Sequence, residues 1–403
     1  MIVLLFVALV LLAHWYLWYR LVRRTTGRGW LRKALTWALV VLLAVLVTTF
    51  VGTRMGLESW VAWPGYIWLA VMFYLTVILL VLEIPRAVVS VFLRRRERVP
   101  EPEPVAVMAG AGAPAVPEAA IVTPAPMSRR IFLERTTAAV AGVSALGTVG
   151  YGMTSALGDP VIERVGITLP KLDPRLGGLR FAVVSDIHLG PLTGIGHTER
   201  IVRMINGLEA DVVAIVGDLV DGSVAQLGAL ARPLKNLESR YGAYFVTGNH
   251  EYFTAEGPGE WIEELGELGV RSLRNERVEI KHQGAVLDLA GVNDVGGAAS
   301  GDAPDFAKAL GGRDTSRSTV LLAHQPIQVE QAARHGVDLQ LSGHTHGGQI
   351  APFNLVVGLQ QPVVSGLATV DGVQVYVTRG AGFWGPPVRV GSPPEITMLE
   401  LRS

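Results

Sequence analysis

The sequence predicts an α/β domain carried behind an N-terminal region of membrane helices. Three observations predict it. Long uncharged apolar runs crowd the first hundred residues, strand-like and helix-like patterns recur from Asp159 onward, and five of the strand-like runs end in Asp, Asn or His. Half of the 403 residues are hydrophobic, more than an ordinary soluble enzyme carries. The 35 basic and 35 acidic residues cancel, so no global field points to nucleic acid as a partner. The chain has no cysteine, which excludes disulfides, zinc–thiolate sites and thiol nucleophiles. It says little about compartment, because such a chain is safe in either redox environment.

Residues 1–19 carry no formal charge and are long enough to span a bilayer. A cleaved signal peptide would show a basic start and a small-residue cleavage site, and neither is present. Trp15, Tyr16, Trp18 and Tyr19 form an interfacial aromatic belt, and Arg20, Arg23, Arg24, Arg28, Arg32 and Lys33 follow. A second apolar run covers Ala34 to about Val51, and a third covers about Tyr66 to Leu82. Residues 1–98 are therefore expected to be a transmembrane region with three helices. The basic loop after the first helix and the cluster Arg94-Arg95-Arg96-Glu97-Arg98 belong in the cytoplasm by the positive-inside rule, which leaves the N-terminus outside. His14, inside the first span, is expected to pack against a neighbouring helix.

Residues 99–127 are rich in Pro, Ala, Val and Glu and read as an extended linker. Residues 128–157 begin Ser128-Arg129-Arg130-Ile131-Phe132-Leu133, which resembles a twin-arginine export motif, and continue with a modestly apolar Ala/Gly/Val stretch. Such motifs normally stand near an N-terminus. The alternative is a fourth transmembrane helix with basic residues on its cytoplasmic side. Both readings put residues 158–403 outside the cytoplasm, and the first makes the chain a twin-arginine translocase client. Thr154-Ser155-Ala156 is a poor cleavage site, which favours an anchor kept in place.

The strand-like runs in this last part are Leu179–Ser185, Val212–Val216, Ala243–Thr247, Ala285–Val292, Thr319–Ala323, Val337–Leu341, Val373–Thr378 and Ile396–Leu401. Helical patterns lie at Thr198–Glu209, Val224–Glu238 and Glu260–Leu268, and Asp371-Gly372 reads as a hairpin turn.

The chemistry lies at the strand ends: Ser185-Asp186-Ile187-His188, Gly217-Asp218, Gly248-Asn249-His250-Glu251, Ala323-His324 and Gly343-His344-Thr345-His346-Gly347-Gly348. In open α/β sheets, ligands gather outside the carboxyl ends of strands. Taken singly, each element also has a structural reading. Asp186 or Asp218 could cap a helix or close a turn, Asn249-His250 could be a β-turn, and His324 could be a satisfied core histidine. Together they make a different case. Five of the nine histidines lie at these positions, and His197, His282 and His335 read as surface residues. Eight oxygen and nitrogen donors are too many for one tetrahedral ion. With one carboxylate bridging, seven could hold a pair of ions about 3.5–4 Å apart, with a shared water deprotonated for in-line attack. The glycines around His344 and His346 read as clearance for an approaching phosphate.

These blocks, in this order, resemble those of the calcineurin-like metallophosphoesterase superfamily over about residues 160–403. Ser342-Gly343-His344-Thr345-His346-Gly347-Gly348-Gln349-Ile350 and Arg379-Gly380-Ala381-Gly382-Phe383-Trp384-Gly385-Pro386-Pro387 are similar to its membrane-associated, YkuE/YaeI-like bacterial branch. The resemblance implies a four-layer α/β/β/α sandwich. It implies that Asp186, His188 and His346 hold one divalent ion, that Asn249, His324 and His344 hold a second, and that Asp218 bridges them. The ions would be Mn, Fe, Zn or Mg. His250 would be the catalytic residue, stabilising phosphoryl oxygens or protonating the leaving group, tuned by a carboxylate that the sequence does not identify.

Arg379 and Trp384 lie in a glycine-rich loop after a strand. Arg379 could bind substrate phosphate and Trp384 an apolar or lipid moiety, or the loop could be structural with an aromatic anchor. Asn275 and Asn293-Asp294 read as turns. The expected protein is a multi-pass membrane hydrolase with an extracytoplasmic dinuclear centre, acting on a phosphodiester or pyrophosphate, in a phospholipid or a cell-wall polymer. The alternatives are a phosphomonoesterase or protein phosphatase, a phosphatase on the cytoplasmic side, and a non-catalytic membrane sensor or scaffold using the metal site to bind ligand.

Overall fold

The computed structural model describes residues 2–54, 59–96, 129–254 and 257–403. The Pro/Ala-rich linker and Ser128 lie outside the described residues. The chain divides into two compact units, one of residues 1–44 and 68–148 and one of residues 45–67 and 149–403.

Among the described residues, four helices are long and apolar enough to cross a membrane. They are α1 (Ile2–Leu17), extended by a π-helical turn through Trp18–Arg23, α2 (Trp30–Arg54), α3 (Ser59–Arg96) and α4 (Arg129–Leu157). Each extends beyond the apolar run that announces it, because once a helix is nucleated its polar ends continue at little cost. The twin-arginine-like stretch is the start of α4.

Within the first unit, His14 is buried. Its Nδ1 bonds to the Val10 carbonyl at 2.9 Å, and the Trp68 indole donates to its Nε2 at 3.1 Å. Arg20 departs from the sequence reading. It does not belong to an exposed basic loop, because the helix continues through it and buries it. Arg20 Nε lies 2.7 Å from Glu83 Oε1, and its Nη1 lies 2.7 Å from Glu134 Oε2. Arg86 joins the cluster, paired with Glu83 and 3.4 Å from Glu134. A buried charge held by opposite charges is tolerated only as a set. Glu134→Ala is therefore expected to destabilise the helix assembly by about 3–5 kcal/mol, read as a lower thermal midpoint of the detergent-solubilised chain. An unchanged midpoint would refute a structural role for the cluster.

Among its described residues the second unit contains twelve strands. They are β1 (Val161–Thr168), β2 (Arg180–Val184), β3 (Val212–Val216), β4 (Ala243–Val246), β5 (Val270–Ser272), β6 (Glu276–His282), β7 (Ala285–Gly291), β8 (Thr319–Leu322), β9 (Leu339–Ser342), β10 (Gly366–Val370), β11 (Val373–Val377) and β12 (Glu395–Arg402). One sheet has the order β1-β12-β2-β3-β4-β5 and the other β10-β11-β9-β8-β7-β6. β2 to β5 are parallel, as are β7, β8, β9 and β11, and β12 runs antiparallel to β2. β10 and β11 meet at Asp371 (φ 49°) and Gly372 (φ 85°), the left-handed pair of a tight hairpin.

Side-chain alternation builds the layers. Phe181 and Val183 face a core shared with Leu287, Leu289, Val320 and Leu339 of the other sheet. Ala182 and Val184 point the other way, against Ile201, Ile205, Trp261 and Leu265 from α5 (Ile195–Asn206) and α7 (Gly259–Glu267). The second sheet covers its far face with Phe306, Leu310, Val329 and Ala332 from two short helices. The result is an α/β/β/α sandwich, as expected for strands that are apolar on both faces.

The helical pattern at Val224–Glu238 is shorter than expected. The α-helix (α6) covers Val224–Ala231, and a 3-10 turn, Arg232–Asn236, follows at Pro233, which cannot donate a helical hydrogen bond. His197 and His282 are buried, not on the surface. His197 lies on the inward face of α5, where burial and then the Arg200 cation hold its pKa down at about 4. The Tyr241 hydroxyl meets His282 Nδ1 at 2.8 Å. His335 is half-buried and stacks on Phe306. Asn275 occupies a turn at φ 53°, whereas Asn293 and Asp294 are fully buried and bonded to Asp302 and Gln325.

Candidate metal centre

The five predicted clusters follow β2, β3, β4, β8 and β9, whose ends lie side by side across the two sheets. Asp186, His188, Asp218, His344 and His346 all adopt positive φ, between 49° and 70°. Non-glycine residues seldom do so, at a cost of about 1–3 kcal/mol each where strain is held. Five such residues at the strand ends turn their side chains back toward one place.

Among the described residues three groups of ligating atoms result, one of them His188, Asp221 and His250, and the other two are built from the predicted residues. Asp186, His188 and His346 converge, with His346 Nε2 3.3 Å from Asp186 Oδ1 and 3.1 Å from His188 Nε2. Asp218, His324 and His344 form the other, with His324 Nε2 3.1 Å from Asp218 Oδ2. The same Asp218 oxygen is 3.9 Å from His188 Nε2 in the first group, so this carboxylate stands between them. Asn249 follows β4 with its Oδ1 buried.

The donor set fits divalent cations. Asp186 Oδ1, Asn249 Oδ1 and His324 Nε2 are buried without a hydrogen-bond partner. A buried polar atom left so costs about 1–3 kcal/mol, so these atoms at the strand ends call for partners. The rings are also oriented from behind. His188 Nδ1 meets Asp221 Oδ1 at 2.8 Å, and His324 Nδ1 meets the Val216 carbonyl at 2.8 Å, which turns each Nε2 inward. Burial, and after it the Arg389 cation, holds His346 well below the usual imidazole range, and burial with His324 pushes His344 down to about 3. Burial opposes charge on His324 as well, yet Asp218 draws it well above the ordinary range, so this point of the site favours positive charge.

Comparison with known proteins gives the family. The family model for calcineurin-like phosphoesterases matches residues 179–348. A metallophosphoesterase of Helicobacter pylori strain J99 is 41% identical over 262 residues, covering 64% of this chain and 68% of that protein. The chain belongs to the calcineurin-like metallophosphoesterase family. Two further relatives extend the likeness. The "Transmembrane protein with metallophosphoesterase domain" of Danio rerio is 41% identical over 261 residues, which is 62% of this chain and 60% of that protein. The metallophosphoesterase YkuE of Bacillus subtilis is 28% identical over 286 residues, 69% of this chain and 98% of that one. The matched part thus spans about 60% of the length of the Danio rerio relative.

In this member of the family, His250 stands beside both groups. Its backbone N–H donates to Asp218 Oδ1 at 2.9 Å, and its Nε2 is 3.9 Å from Asp218 Oδ2. The carboxylate that tunes it is Asp221, whose Oδ1 lies 2.7 Å from His250 Nδ1 and also holds His188. Burial works against a charged His250, but Asp218 and Asp221 outweigh it and push its pKa up to about 9. Sequence reasoning missed Asp221. The signal was its place three residues after Asp218, in Gly217-Asp218-Leu219-Val220-Asp221. Asp221→Asn is expected to cost about 10–100-fold in activity, as loss of a partner behind a ligand does. It should also move any alkaline limb due to His250 to lower pH, since an anion that favours the charged ring is gone. A pH–rate profile unmoved by the substitution would show that Asp221 does not act through His250.

Glu251, adjacent to His250 in sequence, faces away from it in function. Fully buried, it accepts the backbone N–H groups of Asp218 (3.1 Å), Leu219 (2.8 Å) and Gly248 (2.6 Å), which tie the β3 and β4 ends together. Burial and Asp218 raise its pKa to about 7. The glycine beside His344 also has another reason than phosphate clearance. A Cβ on Gly343 would collide with Ser185 and Asp186, so the close approach is to the turn that follows β2.

The late glycine-rich loop is partly corrected. Arg379 does not offer its guanidinium to the ligand groups. Its Nη2 lies 2.6 Å from Glu163 and its Nε 2.6 Å from Glu395, because β1 and β12 bring these acids beneath the loop. The loop holds a second arginine, Arg389, that no sequence pattern marks. It is fully buried and donates to the carbonyls of His346 (3.0 Å) and Arg379 (2.8 Å), bracing the turn that carries His346. Trp384 is more than half exposed and stands edge-on to His250 at 6.0 Å, with Phe253 on another side at 4.7 Å. Trp384 thus borders the mouth of the site.

Proposed function

We propose that this protein is a dinuclear metal-dependent hydrolase of a phosphodiester or pyrophosphate, in a multi-pass membrane protein with its catalytic unit outside the cytoplasm. The observation that carries the reading is the pair of ligand groups joined by Asp218, with buried orphaned donors and the His250 ring beside them. Asp186, His188 and His346 would hold one ion, Asn249, His324 and His344 the other, and Asp218 both. What such ions supply when bound is Lewis acidity toward phosphoryl oxygens and a water acidic enough to attack near neutral pH.

The chain's own residues do the rest. Hydrolysis breaks one P–O bond, adds the oxygen of water to phosphorus and leaves an alkoxide or phosphate that needs a proton. His250, charged at neutral pH, faces the reacting centre through Nε2 while Asp221 holds Nδ1. It can bind a phosphoryl oxygen and then donate its proton to the leaving oxygen. Trp384 and Phe253 narrow the mouth and limit the water around that proton.

The test is reconstitution. The full chain in detergent, stripped with a chelator, should lose turnover of bis-p-nitrophenyl phosphate. It should regain it as Mn²⁺ is returned, saturating at about two bound ions per chain. Saturation at one ion would overturn the dinuclear reading, and turnover by the stripped protein would overturn the metal-dependent one. A reporter fused after Ser403 reads which side of the membrane the catalytic unit occupies.

A further inference from the structure

Resting on the phosphoesterase reading, we infer that the substrate is the head group of a membrane lipid, and that the segment Phe353–Leu359 lies in the bilayer interface beside the mouth of the site. The segment is apolar and exposed where a soluble surface would be charged. Phe353, Leu355, Val356 and Leu359 are 44%, 71%, 53% and 87% exposed. No Asp, Glu, Lys or Arg occurs between Asp338 and Asp371. An exposed apolar patch at a functional site marks an interaction surface, and an uncharged one suits the boundary of head groups and acyl chains.

Two sets of contacts name the bilayer as the occupant. The first ties the segment to a candidate membrane span. In the last turns of α4, the Gly152 carbonyl accepts the Arg389 N–H at 2.9 Å. Val388 and Val390 press so closely that Gly152 has no room for a Cβ. Val390 then pairs with Ile350, its N–H donating to Gln349 at 2.8 Å and its carbonyl accepting from Ala351 at 3.0 Å. Phe353 follows directly, its N–H donating to Ile350 at 2.9 Å. The exposed apolar turn is thus two hydrogen-bonded steps from a helix long and apolar enough to cross a membrane. The second set concerns the cleft. Tyr66, from the third such helix, lines a small cleft together with His188, Asp221, Pro191 and Phe383. A side chain from a candidate membrane span therefore forms part of the wall beside the ligand residues. A phosphoester at the bilayer surface would be within reach of these residues without leaving its membrane.

The absence of cysteine supplies the test. Leu359→Cys in the full chain, labelled with a fluorophore and placed in nanodiscs containing spin-labelled phosphatidylcholine, should be quenched. Lys281→Cys, exposed on a β6 edge strand, should not. No quenching at position 359 overturns the inference. In the activity arm, the wild-type chain is given phosphatidylglycerol, phosphatidylethanolamine and a polyprenyl pyrophosphate in nanodiscs, with bis-p-nitrophenyl phosphate in solution. Leu355→Asp with Leu359→Asp should lose about tenfold of lipid turnover, the weight of one lost apolar burial, and keep the soluble turnover. Wild-type turnover of the soluble ester with none of the lipids overturns the lipid assignment and leaves the phosphoesterase reading standing. Turnover of neither removes both. An equal loss on both substrates in the variant would mean damage to the fold, and the quenching result then decides.

Discussion

Asp218→Asn should lower turnover of bis-p-nitrophenyl phosphate by about a thousandfold or more, the order lost when charge stabilisation of a transition state is removed. One Asp218 oxygen lies 3.1 Å from His324 Nε2 and 3.9 Å from both His188 Nε2 and His250 Nε2, while the other accepts the His250 N–H. The substitution keeps the shape of the side chain and removes its charge. Both ligand groups lose the anion they share, so bound metal should fall together with activity. His250 and His324 should also become less basic, since Asp218 is the main charge that raises each of them against burial. Metal content and turnover measured on the same preparation check the prediction. Full activity with full metal content would remove Asp218 from the centre and the dinuclear reading with it.

His250→Ala should behave differently. His250 belongs to neither proposed ligand set, so metal content should stay near the wild-type level while turnover falls about 10²–10⁴-fold, the range for general acid–base groups. The loss should depend on the leaving group. A nitrophenolate leaves with little need of a proton, whereas an alkyl alkoxide cannot, so the alkyl ester should suffer more. The sign of the pH dependence follows from the raised pKa. His250 is charged below about 9 and loses its proton above it. Wild-type turnover of a poor leaving group should therefore fall as pH rises through that value, and the limb should vanish in His250→Ala. Equal losses on both esters, with the limb retained, would exclude His250 as the acid.

The placement of the candidate residues was legible in the sequence because strand ends are legible. An apolar run of five residues followed by Gly-Asp or Gly-Asn-His fixes both a strand and the direction of the donor that follows it. The hairpin at Asp371-Gly372 was legible for a like reason, since few residue pairs accept two consecutive left-handed conformations. β1 and β6 were not legible. They carry charges on their exposed faces and take their place from partners far along the chain, Glu395–Arg402 and Ala285–Gly291. His197 and His282 were misplaced for the same kind of reason, because their burial comes from neighbours that no local pattern displays.

The sequence by itself determined the apolar N-terminal helices, the alternating α/β order, and the residue types and order of the site, since these depend on local periodicity and on glycine-marked turns. Tertiary structure decided which carboxylate holds His250, that Arg379 is engaged by Glu163 and Glu395, that Arg389 is the brace behind His346, and that Arg20 is buried between two glutamates. Each of these is a contact between residues distant in sequence. The choice among several equivalent acids and arginines is then made by distance and burial, which residue type and spacing do not encode.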